Sequence, residues 1–227
     1  MKLRGIVFDF DGVIANSEPL HFQGFHDVLA EEGVTLSRTD YYARYLGYDD
    51  AGAFAAISAD QRLAWSDDII ARLVDRKAVV LEQLEAEQSV LFPGAAAAIK
   101  RLAASGPLAI ASGALRAEIL RILEKERLSS YFELVVGAED AEASKPSPAP
   151  YLRAVERLAS ARTGWPHPSA YVAIEDSHWG LESARHAGLR TVAVTHTYPA
   201  DTLTADLTVA NLDELTWADL EKLIDRV

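Results

Sequence analysis

The stretch Ile6-Val-Phe-Asp-Phe-Asp-Gly-Val-Ile14 decides how the chain is read. Its apolar start is short and unbroken, as a strand buried on both faces should be. Asp9 closes that strand, Asp11 follows two residues on, and Gly12 permits a tight turn. Two carboxylates so close repel each other unless a cation or a proton lies between them. Mg2+ is a hard cation that takes oxygen ligands and usually shares them with substrate phosphate. An ordinary Asp-Gly turn after a strand would look the same, so the rest of the chain has to choose.

Outward from this stretch, short apolar runs alternate with longer amphipathic ones, the pattern of βαβ units. Strands are expected at Leu3–Asp9, Pro107–Ser112, Glu133–Val136, Ala170–Glu175, Arg190–Thr195 and Asp206–Val209. Helices are expected at Gly94–Ser105, Leu115–Arg127, Ala149–Ala161, Trp179–Ala187 and Glu214–Arg226. From Ser17 to about Gln88 the alternation stops. Leu20–Glu32 and Asp60–Glu87 carry apolar residues at three- and four-residue spacing, with no convincing strand between. The expected fold is α/β: a Rossmann-like parallel sheet core, residues 1–15 plus 89–227, with an inserted all-α cap over 16–88.

Ligands of open parallel sheets bind at the carboxyl ends of strands. Three further groups of polar residues are expected there. Glu175 and Asp176 end a strand in Ile174-Glu-Asp-Ser-His-Trp-Gly180, where Asp176 or Ser177 could equally cap the next helix. Ser112 ends another in Ala109-Ile-Ala-Ser-Gly-Ala114. Its hydroxyl and the backbone N–H groups of Gly113 and Ala114, at a helix N-terminus, make either an anion site or a plain cap. Lys145 lies in Ala143-Ser-Lys-Pro-Ser-Pro148; it is suited to phosphate or to balancing carboxylates, although a lysine in a Pro-rich loop is usually just solvated. Each group has an ordinary explanation. All of them at strand ends, in one chain, are hard to assign to chance.

Composition narrows the classes. The chain has 227 residues, 49% hydrophobic and 25% charged, as ordinary globular proteins do. A net charge of −12 argues against nucleic acid or an anionic membrane as partner. The absence of Cys removes disulfides, thiolate metal sites and cysteine nucleophiles. No run resembles an export signal or a membrane span, so a soluble cytoplasmic protein is expected, as a monomer.

Taken together, Asp9-Phe-Asp-Gly12, Ser112, Lys145 and Glu175-Asp176 resemble the four motifs of the haloacid dehalogenase superfamily, over the whole chain. Asn16-Ser-Glu-Pro-Leu-His21 and Lys145-Pro-Ser-Pro148 resemble the branch that contains β-phosphoglucomutase and phosphoglycolate phosphatase. The resemblance implies that Asp9 is a nucleophile forming an aspartyl-phosphate. It implies Mg2+ held by Asp9, the Asp11 carbonyl and Asp176, with Glu175 in support. Ser112 and Lys145 would hold the transferring phosphoryl group. Asp11 would act as acid and then base; dehalogenases, whose halide needs no proton, lack an acid there. Phosphonoacetaldehyde hydrolases use a lysine early in the cap, and no lysine lies between Lys2 and Lys77.

Within the branch, His21 and Lys77 match residues of the mutase. Each could instead be structural, His21 as a buried helix residue and Lys77 as a solvated one. Where the mutase grips a second phosphate with an arginine, this chain has Asp50, and an acidic Asp49-Asp50 pair should repel such a phosphate. The mutase's second phosphate-binding lysine falls at Leu115, one residue before Arg116. The expected activity is Mg2+-dependent hydrolysis of a small phosphorylated metabolite. A phosphosugar mutase is the alternative, and a catalytically silent binding protein on the same fold is a third. Arg116, His21, Lys77, Tyr48 and Asp50 are the expected substrate contacts, with Tyr45 and Asp49 also considered.

Overall fold

Strand β1 (Gly5–Phe8) lies inside a six-stranded, all-parallel sheet of order β3-β2-β1-β4-β5-β6. The structure is a computed structural model and describes residues 2–46, 48–161 and 167–225. After β1 come α1 (Glu18–Glu31), α2 (Asp50–Gln61), α3 (Asp67–Glu87) and α4 (Ala95–Ala103). Then follow β2 (Leu108–Ala111), α5 (Arg116–Lys125), β3 (Leu134–Val136) and α6 (Ala149–Ser160). The chain closes with β4 (Tyr171–Glu175), α7 (His178–His186), β5 (Arg190–Val194), β6 (Leu207–Val209) and α8 (Trp217–Ile224). It divides into two compact units, Met1–Asn16 with Val90–Val227, and Ser17–Ser89.

In the sheet unit, β1 is flanked by β2 and β4, with Ile6 opposite both Leu108 and Val172. All four residues of β1 are buried, as are those of β2 and β4, because helices cover both faces. On one face Val7, Ala109 and Ala173 pack with Tyr151, Ala154 and Leu158 of α6 and Ala184 of α7. The small residues of the strands let α6 and α7 lie close. Phe8, pointing to the opposite face, meets Phe132 edge-on at 6.0 Å.

The helical unit has its own core. Phe25, Val28 and Leu29 of α1 pack with Phe54 and Ile57 of α2 and Leu73 of α3. The expected helical stretch Asp60–Glu87 is in fact two elements. Asp60 lies at the end of α2, and the chain breaks where Arg62 and Ala64 take left-handed backbone conformations at φ +57° and +54°. Ser66 then caps α3 by accepting from the Ile69 N–H at 3.4 Å, and Asp67 and Asp68 complement the helix dipole. The last helix also starts later than Glu214, because Thr216 caps it; its expected end at Arg226 lies outside the described residues. Among the described residues, no helix is long and apolar enough to cross a membrane.

Candidate active site

Three parallel strands deliver polar side chains to one edge of the sheet. Asp9 follows β1, Ser112 follows β2, and Glu175-Asp176 closes β4. Because β1 is paired with both β2 and β4, these ends are neighbours in space. Lys145 is placed differently from expectation. It does not end a strand but lies in the loop between β3 and α6, and its long side chain brings the ammonium to the carboxylates.

Lys145 Nζ donates to Asp9 Oδ1 at 2.8 Å and to Glu175 Oε1 at 2.6 Å. Tyr151 of α6 donates its hydroxyl to the same Glu175 oxygen at 2.7 Å, and its ring lies 5.1 Å from the ammonium. The other oxygen, Glu175 Oε2, accepts from the Asp176 N–H at 3.2 Å and from the Ser177 hydroxyl at 3.2 Å. Glu175 is 0% exposed. A fully buried carboxylate must have its lone pairs filled, and here both oxygens are engaged from within the chain. Its geometry is that of a brace for Lys145 and for the turn into α7.

Carboxylate oxygens of Asp9, Glu175 and Asp176 all lie within 4.8 Å of one another. Three carboxyl groups face one ammonium, so their full ionisation would leave two negative charges in a buried place. Hard oxygen donors with that excess fit a divalent cation such as Mg2+. Burial is the first cause that pushes Asp9 up to about 8; Glu175 and Asp176 push the same way, against Lys145. Burial also pushes Asp176 up to about 6, against a hydrogen bond from Thr197. Lys145 is opposed by burial, but Asp9 and Glu175 outweigh it and hold its pKa above the ordinary lysine value.

Two glycines make room for this cluster. A Cβ on Gly12, whose φ is +77°, would lie 1.9 Å from Asp176 Oδ2. One on Gly180 would lie 1.9 Å from the Glu175 carboxyl. Asp11, half-buried, sits in the loop after β1, bridged to Ala15.

Around Ser112 the outcome is mixed. The hydroxyl is buried and accepts from the Ala114 N–H at 3.1 Å, so that N–H is turned to the serine itself. Gly113 is exposed. Helix α5 begins only at Arg116, and the Glu139 carboxylate accepts from the Arg116 N–H at 3.2 Å. The helix start is therefore occupied by an acid of the chain. The Arg116 guanidinium lies 3.9 Å from Asp140, which also binds Arg157 at 3.1 Å.

The remaining expected residues lie in the helical unit. Lys77 is 0% exposed, not solvated. Its ammonium bonds the Asp50 carboxylate, lies 3.0 Å from His21 Nδ1, and sits 4.2 Å over the Phe25 ring. Asp49 caps α2 by accepting from the Gly52 N–H at 2.7 Å. The acidic pair expected to repel a phosphate is thus engaged inside the unit. Tyr48 is exposed, and Tyr45 is buried with its hydroxyl on Asp60 at 2.8 Å.

Four residues at the site were not expected: Tyr151, Gly180, His196 and Thr197. Thr197 donates its hydroxyl to Asp176 Oδ2, and His196 Nδ1 lies 2.9 Å from the Gly12 carbonyl. Both follow β5, so the strand-end criterion that picked out Ser112 would have found them. Tyr151 carries no such signal, since an aromatic on the buried face of a helix reads as core.

A family model described as haloacid dehalogenase-like hydrolase matches residues 6–194. Protein CbbY of Rhodobacter capsulatus is 34% identical over 205 residues, covering 87% of this chain and 88% of its own. Hexitol phosphatase B of Escherichia coli is 30% identical over 227 residues, covering 96% and 97%. The chain belongs to the haloacid dehalogenase-like hydrolase family. Among solved structures, it is similar to a mutant of CbbY from Rhodobacter sphaeroides in complex with xylulose-(1,5)bisphosphate. The TM-score is 0.75 at 25% identity, covering 94% of this chain and 96% of that one.

Proposed function

We propose that the protein is a Mg2+-dependent phosphatase acting on a small phosphorylated metabolite, a sugar phosphate or a phosphoglycolate-like compound. The observation that carries this reading is Asp9: a buried carboxylate at a sheet edge, held by Lys145 and crowded by Asp176. Asp9 is the nucleophile. Its carboxylate oxygen forms a bond to phosphorus as the bond to the substrate's leaving oxygen breaks. Asp11 gives that oxygen a proton, then takes one from the water that attacks the phosphorus of the aspartyl-phosphate. Inorganic phosphate leaves and the Asp9 carboxylate is restored. Lys145 offsets negative charge as the phosphoryl group meets Asp9, and Ser112 holds a phosphoryl oxygen, with Gly113 and Ala114 beside it. Asp9, Asp176 and the Asp11 carbonyl would hold the Mg2+, whose charge lets an anionic nucleophile approach a phosphate dianion. Glu175 supports this set through Lys145.

For the helical unit we propose a part in specificity, through His21, Asp50, Lys77 and Tyr48. Arg116 is the corresponding candidate in the sheet unit. We expect a cytoplasmic monomer. The 3.0 Å approach of His21 to Lys77 favours a second reading, a phosphosugar mutase, because those two positions match the mutase.

One experiment tests both. Phosphate release is measured over phosphoglycolate, hexose, pentose and hexitol phosphates, β-glucose 1-phosphate and a sugar bisphosphate, with Mg2+ and with EDTA, beside Asp9→Asn. Mg2+-dependent release that Asp9→Asn abolishes is the expected result. Conversion of β-glucose 1-phosphate to glucose 6-phosphate without net release would establish the mutase. Inertness in both assays would overturn both.

A further inference from the structure

We propose that the dipeptide His196-Thr197, just past β5, positions the divalent-cation site by tying together the two loops that carry its ligands. This rests on the cation site proposed above. The loop after β1 carries Asp9 and Asp11; the loop after β4 carries Asp176. The backbone ladder ends with the Asp9 N–H on the Ile174 carbonyl at 2.9 Å, and beyond that bond side chains reach from one loop to the other.

Thr197 reaches one loop. Its hydroxyl donates to Asp176 Oδ2, the oxygen that also sits against Gly12. A carboxylate is free to swivel about its last torsion. One oxygen bonded to a hydroxyl and wedged against a glycine is no longer free to do so. His196 reaches the other loop. Its Nδ1 lies 2.9 Å from the Gly12 carbonyl, which can only accept, so Nδ1 carries the proton. The imidazole is itself fixed, stacked on Phe92 with centroids 3.8 Å apart and planes 20° apart. Phe92 is in turn tied to the β1 loop, its N–H donating to the Ile14 carbonyl at 3.0 Å.

Two adjacent residues of one loop thus contact both ligand-bearing loops, at Gly12 and at Asp176, which themselves touch. Their hydrogen bonds go to the Gly12 carbonyl and to Asp176, not to Asp9. They act through the ligands, as groups that orient metal-bound carboxylates do; such partners typically change metal affinity by about 10–100-fold.

The test compares Thr197→Val, which removes the hydroxyl but keeps the shape, with Thr197→Ser, which keeps the hydroxyl, and with His196→Phe, which keeps the stack but loses the donor. Mg2+ binding to the protein without substrate is read by calorimetry, and melting temperature is read in EDTA. The expected result is a Mg2+ dissociation constant raised about 10–100-fold in Thr197→Val and in His196→Phe. Thr197→Ser should stay within about threefold of the parent, and in EDTA all variants should stay folded, with Thr197→Val and His196→Phe melting lower by no more than the few degrees that one lost buried hydrogen bond accounts for. Unchanged Mg2+ affinity in folded Thr197→Val would overturn the proposal. So would equal losses in Thr197→Val and Thr197→Ser, or losses seen only as lower melting in EDTA. If Thr197→Val does not fold, His196→Phe and Thr197→Ser decide alone by the same readings. A parent protein that binds no Mg2+ would instead remove the cation site itself.

Discussion

Lys145 Nζ lies 2.8 Å from Asp9 Oδ1, and the same ammonium lies 2.6 Å from Glu175 Oε1. One cation therefore links the proposed nucleophile to a carboxylate fully shielded from water. Removing it leaves buried charge without its partner, a loss of about 3–5 kcal/mol. Lys145→Met should lower the melting temperature by about 10 °C in EDTA. It should also reduce phosphate release by about 10²–10³-fold at saturating Mg2+. A variant that melts like the parent would mean that Glu175 needs no counter-charge.

Tyr151 separates packing from hydrogen bonding. Tyr151→Phe keeps the ring under Lys145 and the helix-to-sheet packing, but takes the hydroxyl from Glu175 Oε1. The expected destabilisation is about 1–2 kcal/mol, the cost of an under-satisfied buried acceptor. Lys145 remains on that oxygen, so Tyr151→Phe should turn over substrate far better than Lys145→Met does. Thermal melts and steady-state kinetics on the two variants check the order.

Protons and the proposed cation would compete for the same oxygens. Asp9 is held up at about 8 and Asp176 at about 6, against an ordinary 3.8. Each group keeps its proton in the folded state at pH values where the unfolded chain has lost it. The metal-free fold therefore loses stability as pH rises from about 4 toward 8. Mg2+ should raise the melting temperature more at pH 8 than at pH 5. Equal Mg2+ shifts at the two pH values would count against the cation lying on these carboxylates.

Gly12 and Gly180 are packed against carboxylates too closely for any side chain. Gly12→Ala should abolish the Mg2+-induced rise in melting temperature, because its Cβ would displace Asp176 Oδ2. Gly180→Ala should act on Glu175 and so on Lys145. Both variants are checked by melts with and without Mg2+; an unchanged Mg2+ shift in Gly12→Ala would show that Asp176 can move without loss.

In the helical unit, Asp50→Ala removes the carboxylate on an ammonium that has no exposed surface. An uncompensated buried charge predicts a loss of about 3–5 kcal/mol. Denaturation followed by far-ultraviolet circular dichroism would detect it. If stability is unchanged while the substrate range widens, Asp50 acts in specificity and not in support of Lys77.

The sequence announced the sheet and its polar edge for one reason. Asp9, Ser112 and Glu175 each interrupt an apolar run at its end, and that interruption is local. Relations between distant residues were not announced. Lys77 could be read as solvated because its partners Asp50 and His21 lie 27 and 56 residues away. Nothing near Arg116 shows that Glu139, 23 residues on, covers the start of its helix. The break inside Asp60–Glu87 was hidden as well, since neither Arg62 nor Ala64 is a usual left-handed residue. Tyr151 stayed hidden because a hydroxyl's partner is not encoded in helical spacing.

The ends of the helical insertion leave the sheet unit side by side. Ala15 is bridged to Leu91, and the Asn16 N–H donates to the Val90 carbonyl at 2.6 Å. To the sheet, the whole excursion is closed off like a hairpin, whatever its length. Loop closure is paid once at that neck and changes little with what lies beyond it. Insertions, deletions and exchanges between Ser17 and Ser89 can therefore accumulate without shifting the register of β1. The reaction chemistry and the helical insert are free to be inherited, and engineered, as separate cassettes.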